Sequence, residues 1–310
     1  MTGKSLTQRL AADEQGIARA VELLRGGGIV ALPTETVYGL AARADSADAV
    51  ARIFAAKGRP KFNPLIVHLA SAAEAERYAE FGPAARALAK AHWPGPLTLV
   101  LPRRRDVALA PAISAGLPTI ALRCPAHPVM RAVLAALDLP LAAPSANASG
   151  FVSPTNAAHV LATLDGRIDA VVDAGPCSDG LESTIVAVRS DGRIEHFRPG
   201  PVDIAASINT TTDIEAPGQL ASHYAPGKPL RLNATTHDED EYKIGFGVIE
   251  GDITLSTGGD LGEAAARLYH CLHEAAAAAQ PRIAVAPIPD RGLGRAINDR
   301  LRRAAAPRDA

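Results

Sequence analysis

Short apolar runs of four or five residues recur along most of this chain, separated by stretches with helical periodicity, and several of the runs open into small polar loops. Runs that short bury well only as strands, and the intervening helical stretches must cover them, so the pattern demands a layered α/β fold. Ile17, Val21 and Leu24 fall at helical spacing and stop at Gly26-Gly27-Gly28; residues 29–32 then form a β run that ends at Pro33. A helix is expected from Ser46, with Val50, Ile53 and Phe54 on one face, to Lys57-Gly58, before Arg59-Pro60. Residues 65–69 read as a strand, and Ser71 with Glu74 forms a capping-box pair that opens another helix. Further strands are expected at 97–101, 119–123, 140–143, 169–173, 184–188 and 194–198, and helices near 127–137 and 155–164.

At 310 residues the chain is long for a single core, and 47% hydrophobic residues suffice for two. The stretch 209–228 is polar and punctuated by Pro and Gly, which marks a linker between a first domain at 1–208 and a second at 229–310. The second carries strand-like runs at 229–233, 243–249, 252–256 and 283–288, with helices near 261–279 and from about 294. That alternation suggests a small parallel, Rossmann-like sheet.

Several function classes are disfavoured. Net charge is −1 and aromatics are 4%, which supplies neither an electrostatic pull on nucleic acid nor a stacking platform. Arg103-Arg104-Arg105 reads as a solvated loop. Cys124, Cys177 and Cys271 are too few and too scattered for a disulfide framework, and Cys124 with His127 lacks the second pair a zinc site needs. The opening MTGKSLTQRL has no apolar segment of signal-peptide length and no run is long enough to span a bilayer, so a cytoplasmic protein without a membrane partner is expected.

Phosphate chemistry has no standard loop here. Gly3-Lys4-Ser5 has the tail of a P-loop without a preceding strand, and Gly292-Leu293-Gly294 has Ile297 where the dinucleotide fingerprint wants its third glycine. Better candidates lie in the first domain. Lys57 and Arg59 flank Gly58 at a helix end, where cations are also explained by the helix dipole. Residues 144–150, PSANASG, follow an apolar run; Ser145 and Asn147 could donate to phosphate oxygens or form an ordinary turn. Residues 33–39, PTETVYG, have the same character of a substrate-facing lip or a simple turn. Three such loops with a cationic pair nearby describe a site better than three unrelated turns.

The runs GGGIVALPTETVYGLAA, KGRPKFNPLIVHL and APSANASG resemble the YrdC-domain family of threonylcarbamoyl-AMP synthases, with Lys57-x-Arg59 and Ser145-x-Asn147 matching its K-x-R and S-x-N pairs. TIALRCP, EST at 182–184, FRPG at 197–200, HYAPGKPLRL and RAINDRLRRAA extend the resemblance over nearly the whole chain, in the long two-domain form. The resemblance implies a YrdC-like twisted-sheet α/β domain followed by a smaller Rossmann-like domain. It implies a nucleotidyltransferase that combines L-threonine, carbon dioxide or bicarbonate, and ATP into threonylcarbamoyl-AMP and pyrophosphate. The product would pass to the complex that transfers threonylcarbamoyl to tRNA, with direct RNA binding at most weak. By the same resemblance Lys57 and Arg59 are catalytic, and Thr36, His68, Arg123 and Ser183 hold threonine. ATP falls to Arg59, Asn63, Thr119, Ser145, Asn147 and Arg198, with Tyr224 of the linker closing over it. Mg2+ would arrive with ATP, held mainly by the phosphates, and no protein metal ligands are expected. Singly, each residue has a plain alternative as a strand histidine, surface cation, strand-face hydroxyl or linker anchor.

Overall fold

Helix Ala47–Lys57 shows how local sequence aims a functional side chain. Ser46 caps it by accepting from the Ala49 amide at 3.3 Å, and Asp48 complements the dipole in the first turn. Its buried face carries Val50, Ile53 and Phe54 into the main core, each contributing about 1.5–3 kcal/mol of burial. It stops because Gly58 takes the left-handed region at φ 62°, which lets the Arg59 amide return to Phe54 O at 3.0 Å. The chain thereby leaves the helix axis at Arg59, two residues after the buried Lys57.

The computed structural model describes residues 6–208, 215–217, 219, 222–236 and 238–307; Gly3-Lys4-Ser5 and most of the polar stretch 209–221 lie outside them. Eleven strands form one mixed sheet. In spatial order they are Gln8–Ala11, Ala170–Asp173, Val30–Leu32, Gly39–Arg43, Leu141–Ala142, Ile66–His68, Thr119–Arg123, Leu97–Pro102, Thr184–Val188, Ile194–Arg198 and Ser207–Ile208. Three buried clusters lie against this sheet: one is built on Ala47–Lys57 and its neighbours, one on helices Glu14–Arg25 and Pro128–Leu137, and a smaller one holds Ile66, Val100, Ala121, Ile185, Ala187 and Phe197. The central register matters for function. Ile66–His68 runs parallel to Thr119–Arg123 with His68 opposite Arg123, and Leu97 stands opposite Thr184.

A second sheet, wholly parallel, holds Leu230–Arg231, Arg282–Val285, Glu241–Gly245 and Ile253–Thr254 in that spatial order, with helices Leu261–Ala277 and Leu293–Ala305. The strand expected at 243–249 is instead Glu241–Gly245, because Phe246 and Ile249 close a tight bridge around Gly247 at φ 59°. The Ser71–Glu74 pair does cap, with Ser71 Oγ accepting from Glu74 N, but the helix it opens, Ala72–Ala75, is only four residues. Among the described residues no helix is long and apolar enough to cross a membrane.

The two sheets share a core. Val37, Val152, Leu181 and Tyr224 bury among Leu268, Tyr269, Ile297 and other residues of the second domain. Those four belong, in turn, to the first polar loop, the stretch after PSANASG, the segment before Ser183, and the linker.

Candidate active site

The loops at 33–39 and 144–150 are held together by backbone. Leu40 N donates to Pro144 O at 2.7 Å, Ala146 N donates to Tyr38 O at 2.8 Å, and Gly39 bridges Ser145. Gly39 suits this close approach, since a Cβ would stand 3.2 Å from the Ala143 Cβ and press the two loops apart by a few tenths of an ångström. Thr34 organises the first loop from within: its hydroxyl donates to Val37 O at 2.6 Å, accepts from the Thr36 and Val37 amides, and lies 2.8 Å from Thr36 Oγ1.

Lys57 is 3% exposed, and its Nζ donates to Ser145 O at 2.5 Å and Asn147 O at 2.6 Å. The lysine therefore ties down the S-x-N loop, while Ser149 N donates back to Lys57 O at 2.8 Å. Burial first, and then the Arg59 charge, holds the Lys57 amine well below its usual range. Arg59 donates only to the carbonyls of Asn63 and Pro64, and burial lowers it to about 10.

Arg123 Nη2 donates to Glu35 Oε1 at 2.6 Å, and Glu35 Oε2 also accepts from the Ala126 and His127 amides. Burial pushes the Glu35 carboxyl up, but the Arg123 charge and these hydrogen bonds outweigh it and leave it below its ordinary value. His68 beside Arg123 is pressed down to about 3 by burial and by the arginine's charge, so its imidazole is neutral at physiological pH. Ser183 Oγ shares a 2.7 Å hydrogen bond with Thr98 Oγ1 and accepts from Arg198 Nη2 at 3.1 Å; Arg198 Nε donates to Ser183 O at 3.1 Å.

Eight of the residues singled out in the sequence line one cavity: Thr36, Arg59, His68, Arg123, Ser145, Ser183, Arg198 and Tyr224. Lys57, Asn63, Thr119 and Asn147 are absent from its lining; Lys57 and Asn147 reach it through the loop that Ser145 shares with them. The sequence alone assigned no role to two acidic residues of its motifs, Glu35 and Glu182. Both are buried, and Glu182 lines the cavity. Among the described residues eight buried side-chain polar atoms have no protein partner, and five belong to residues already singled out: Asn63 Oδ1, His68 Nδ1, Thr119 Oγ1, Asn147 Oδ1 and Tyr224 Oη. Buried polar groups are nearly always hydrogen-bonded, and His68 and Tyr224, with His223 Nδ1 also unpartnered, line the cavity, which marks it as a place for a polar ligand.

The cavity is only about 50 Å³, room for a few waters and far short of a nucleotide. His223, Tyr224 and Pro217 of the linker are part of its wall. Tyr224 is fully buried and takes φ 62°, a conformation a tyrosine holds only when its surroundings impose it. The linker thus closes the site.

Residues 22–200 match the Sua5_yciO_yrdC family, described as "Telomere recombination", and residues 183–306 match the family described as "Threonylcarbamoyl-AMP synthase, C-terminal domain". A threonylcarbamoyl-AMP synthase of Bacillus subtilis is 40% identical over 98% of this chain and 96% of its own length, and one of Pyrococcus abyssi is 36% identical over 94% and 95%. The crystal structure of P. abyssi Sua5 complexed with L-threonine superposes with a TM-score of 0.87 at 34% identity, covering 97% of this chain and 98% of that one. Strand order, motif placement and these likenesses agree over both sheets: the chain belongs to the Sua5/YrdC family of threonylcarbamoyl-AMP synthases, in the two-domain form.

Proposed function

We propose that this chain joins L-threonine, carbon dioxide and ATP into threonylcarbamoyl-AMP, releasing pyrophosphate. One observation carries the nucleotide half of this reading. Arg123 and Arg300 are paired with carboxylates, whereas among the described residues Lys57, Arg59 and Arg198, all buried, bond only to carbonyls and a serine hydroxyl. A buried unpaired cation costs several kcal/mol; Arg59 and Arg198 line the cavity and Lys57 holds its Ser145 loop, an arrangement that a polyphosphate relieves.

The threonine half rests on Arg123, His68, Ser183 and Thr36 along one wall of the cavity. Glu35 accepts from Arg123 Nη2 and Gly95 O accepts from its Nε at 3.3 Å, which holds the guanidinium in place and leaves Nη1 for a carboxylate. The neutral His68, with Nδ1 unpartnered, can accept a hydrogen bond from the threonine amine or hydroxyl.

The amine attacks carbon dioxide, forms a C–N bond and loses a proton, giving a carbamate. A carbamate oxygen then attacks the α-phosphorus, and the bond to the β-phosphate oxygen breaks, so AMP is transferred and pyrophosphate leaves. Starting from bicarbonate, one water is also released. Atoms balance without a protein nucleophile. The protein's share is positioning and charge neutralisation, which makes the chain a nucleotidyltransferase in its chemistry. Glu35 and Glu182, the acids of this site, are committed to arginines, so magnesium would be held by phosphate oxygens and water, where it neutralises charge on the leaving pyrophosphate. A cytoplasmic enzyme handing its mixed anhydride to a tRNA-modifying transfer complex completes the reading.

The test is pyrophosphate release from ATP by the purified chain, with and without threonine and bicarbonate. Release that requires both supports the proposal; release indifferent to threonine overturns it.

A further inference from the structure

Glu182 is gripped from the far domain. Its carboxylate accepts from Ser153 Oγ at 2.6 Å, from Tyr269 Oη at 2.7 Å and from Arg300 Nε at 2.9 Å. Tyr269 lies on helix Leu261–Ala277 and Arg300 on helix Leu293–Ala305, both in the second domain. Glu182 lines the substrate cavity and immediately precedes Ser183. The same arginine is fully buried with its guanidinium carbon 5.4 Å from the centre of the Tyr224 ring, and Tyr224 in turn lies 5.7 Å from Tyr269. A second contact is independent of these side chains. Gly180 sits so close to helix Leu261–Ala277 that a Cβ would come within 2.5 Å of the Ala266 backbone. The segment leading to Ser183 is therefore seated on the second domain by backbone and by charge.

We propose that Arg300 and Tyr269 are positioning residues for substrate binding, acting through Glu182 on Ser183 and directly on Tyr224, so that the second domain completes the site. The inference rests on the adenylate-forming reading of that site. A purely stabilising role is a poor account of the cluster, because a buried Glu–Arg pair is commonly matched or bettered in stability by apolar residues of similar volume. What the pair supplies, and an apolar contact cannot, is a fixed direction for each carboxylate oxygen and a fixed plane for the Tyr224 ring.

Two full-length variants separate the roles. Tyr269→Phe removes one hydrogen bond and no charge. The double variant Glu182→Gln/Arg300→Met removes both buried charges together, and Asp299, which also pairs with Arg300 at 2.7 Å, keeps Arg303 at 3.1 Å. Thermal unfolding and threonine-dependent pyrophosphate release are measured on each. The inference predicts near-wild-type melting for both, a threonine KM raised about 5-fold in Tyr269→Phe and 20-fold or more in the double variant, and a smaller change in kcat. Wild-type KM values in both variants overturn it, as does a loss confined to apparent kcat and proportional to lost folded protein. Failure of the wild-type chain to release pyrophosphate would instead remove the parent reading, so the two failures are distinguishable.

Discussion

Replacing Lys57 with methionine tests whether this lysine acts through the loop it holds. The change keeps the volume and removes a buried ammonium that donates to Ser145 O and Asn147 O at 2.5 and 2.6 Å. Two buried carbonyls lose a donor, at about 1–3 kcal/mol each. Against that, burial and the Arg59 charge already disfavour the charged lysine, so its removal returns part of this cost. The net change in stability should be within about 2 kcal/mol, or less than roughly 8 °C in melting temperature. Activity should respond far more. The S-x-N loop loses its anchor, and a displacement of about 1 Å at a positioned group costs on the order of 100-fold. The assay is kcat/KM for ATP in threonine-dependent pyrophosphate release, alongside a melting curve. A fall of about 100-fold or more with a nearly normal melt is expected. Wild-type kcat/KM with a normal melt would refute the argument that Lys57 organises the site.

Other perturbations follow from the same geometry. Gly200→Ala should disturb Ser183 without touching substrate, because a Cβ there would stand 2.4 Å from the Thr184 nitrogen; a threonine KM raised at least about 10-fold is expected by calorimetry or kinetics. Arg123→Lys keeps the charge and loses the fork shared between Glu35 and a carboxylate, so threonine affinity should weaken by about 1.5–3 kcal/mol, read by titration calorimetry. Tyr224→Phe removes a buried hydroxyl with no protein partner, so the melting temperature should hold or rise slightly while ATP binding weakens. Acid should loosen the domain interface. His159 stacks 3.8 Å from His273, with His270 beside it, and burial, followed for His159 by its neighbours' charges, holds His159 at about 3 and His273 at about 4. Both values lie below the ordinary 6.5, so the unfolded chain binds the extra protons. Their contribution is whole above about pH 6.5 and is lost as pH falls toward 4 and then 3, by up to about 1.4 kcal/mol per pH unit for each. Melting curves from pH 7 to 4 should show this decline; a flat profile would contradict it.

Much of the fold was legible because apolar runs bounded by turn residues leave little choice. Strands Thr119–Arg123, Thr184–Val188 and Ile194–Arg198 fall where the runs place them, and Ser46 and Gly58 bracket their helix as cap chemistry requires. Gly39–Arg43 was not legible. Its sequence, GLAAR, has little β propensity, and it is a strand because Val30–Leu32 and Leu141–Ala142 pair with it from both sides. The helix Pro83–His92 was not legible either, because the face it buries is made mainly of alanines, Ala85 and Ala89.

The candidate site divides likewise. Its cations and loop hydroxyls stand in compact motifs that a reader can find. Glu35 and Glu182 stand in the same motifs, but their roles depend on partners 88 and 118 residues away, Arg123 and Arg300. Only the fold brings such pairs together, and only the fold shows that Arg300 of the second domain grips Glu182 in the cavity wall.

The most direct measurement of the central claim is mass spectrometry of the product formed from ATP, threonine and ¹³C-bicarbonate. The account predicts a species containing AMP, one threonine and one labelled carbon, formed together with pyrophosphate. An unlabelled threonine–AMP anhydride, or AMP formed with no threonine attached, would contradict it.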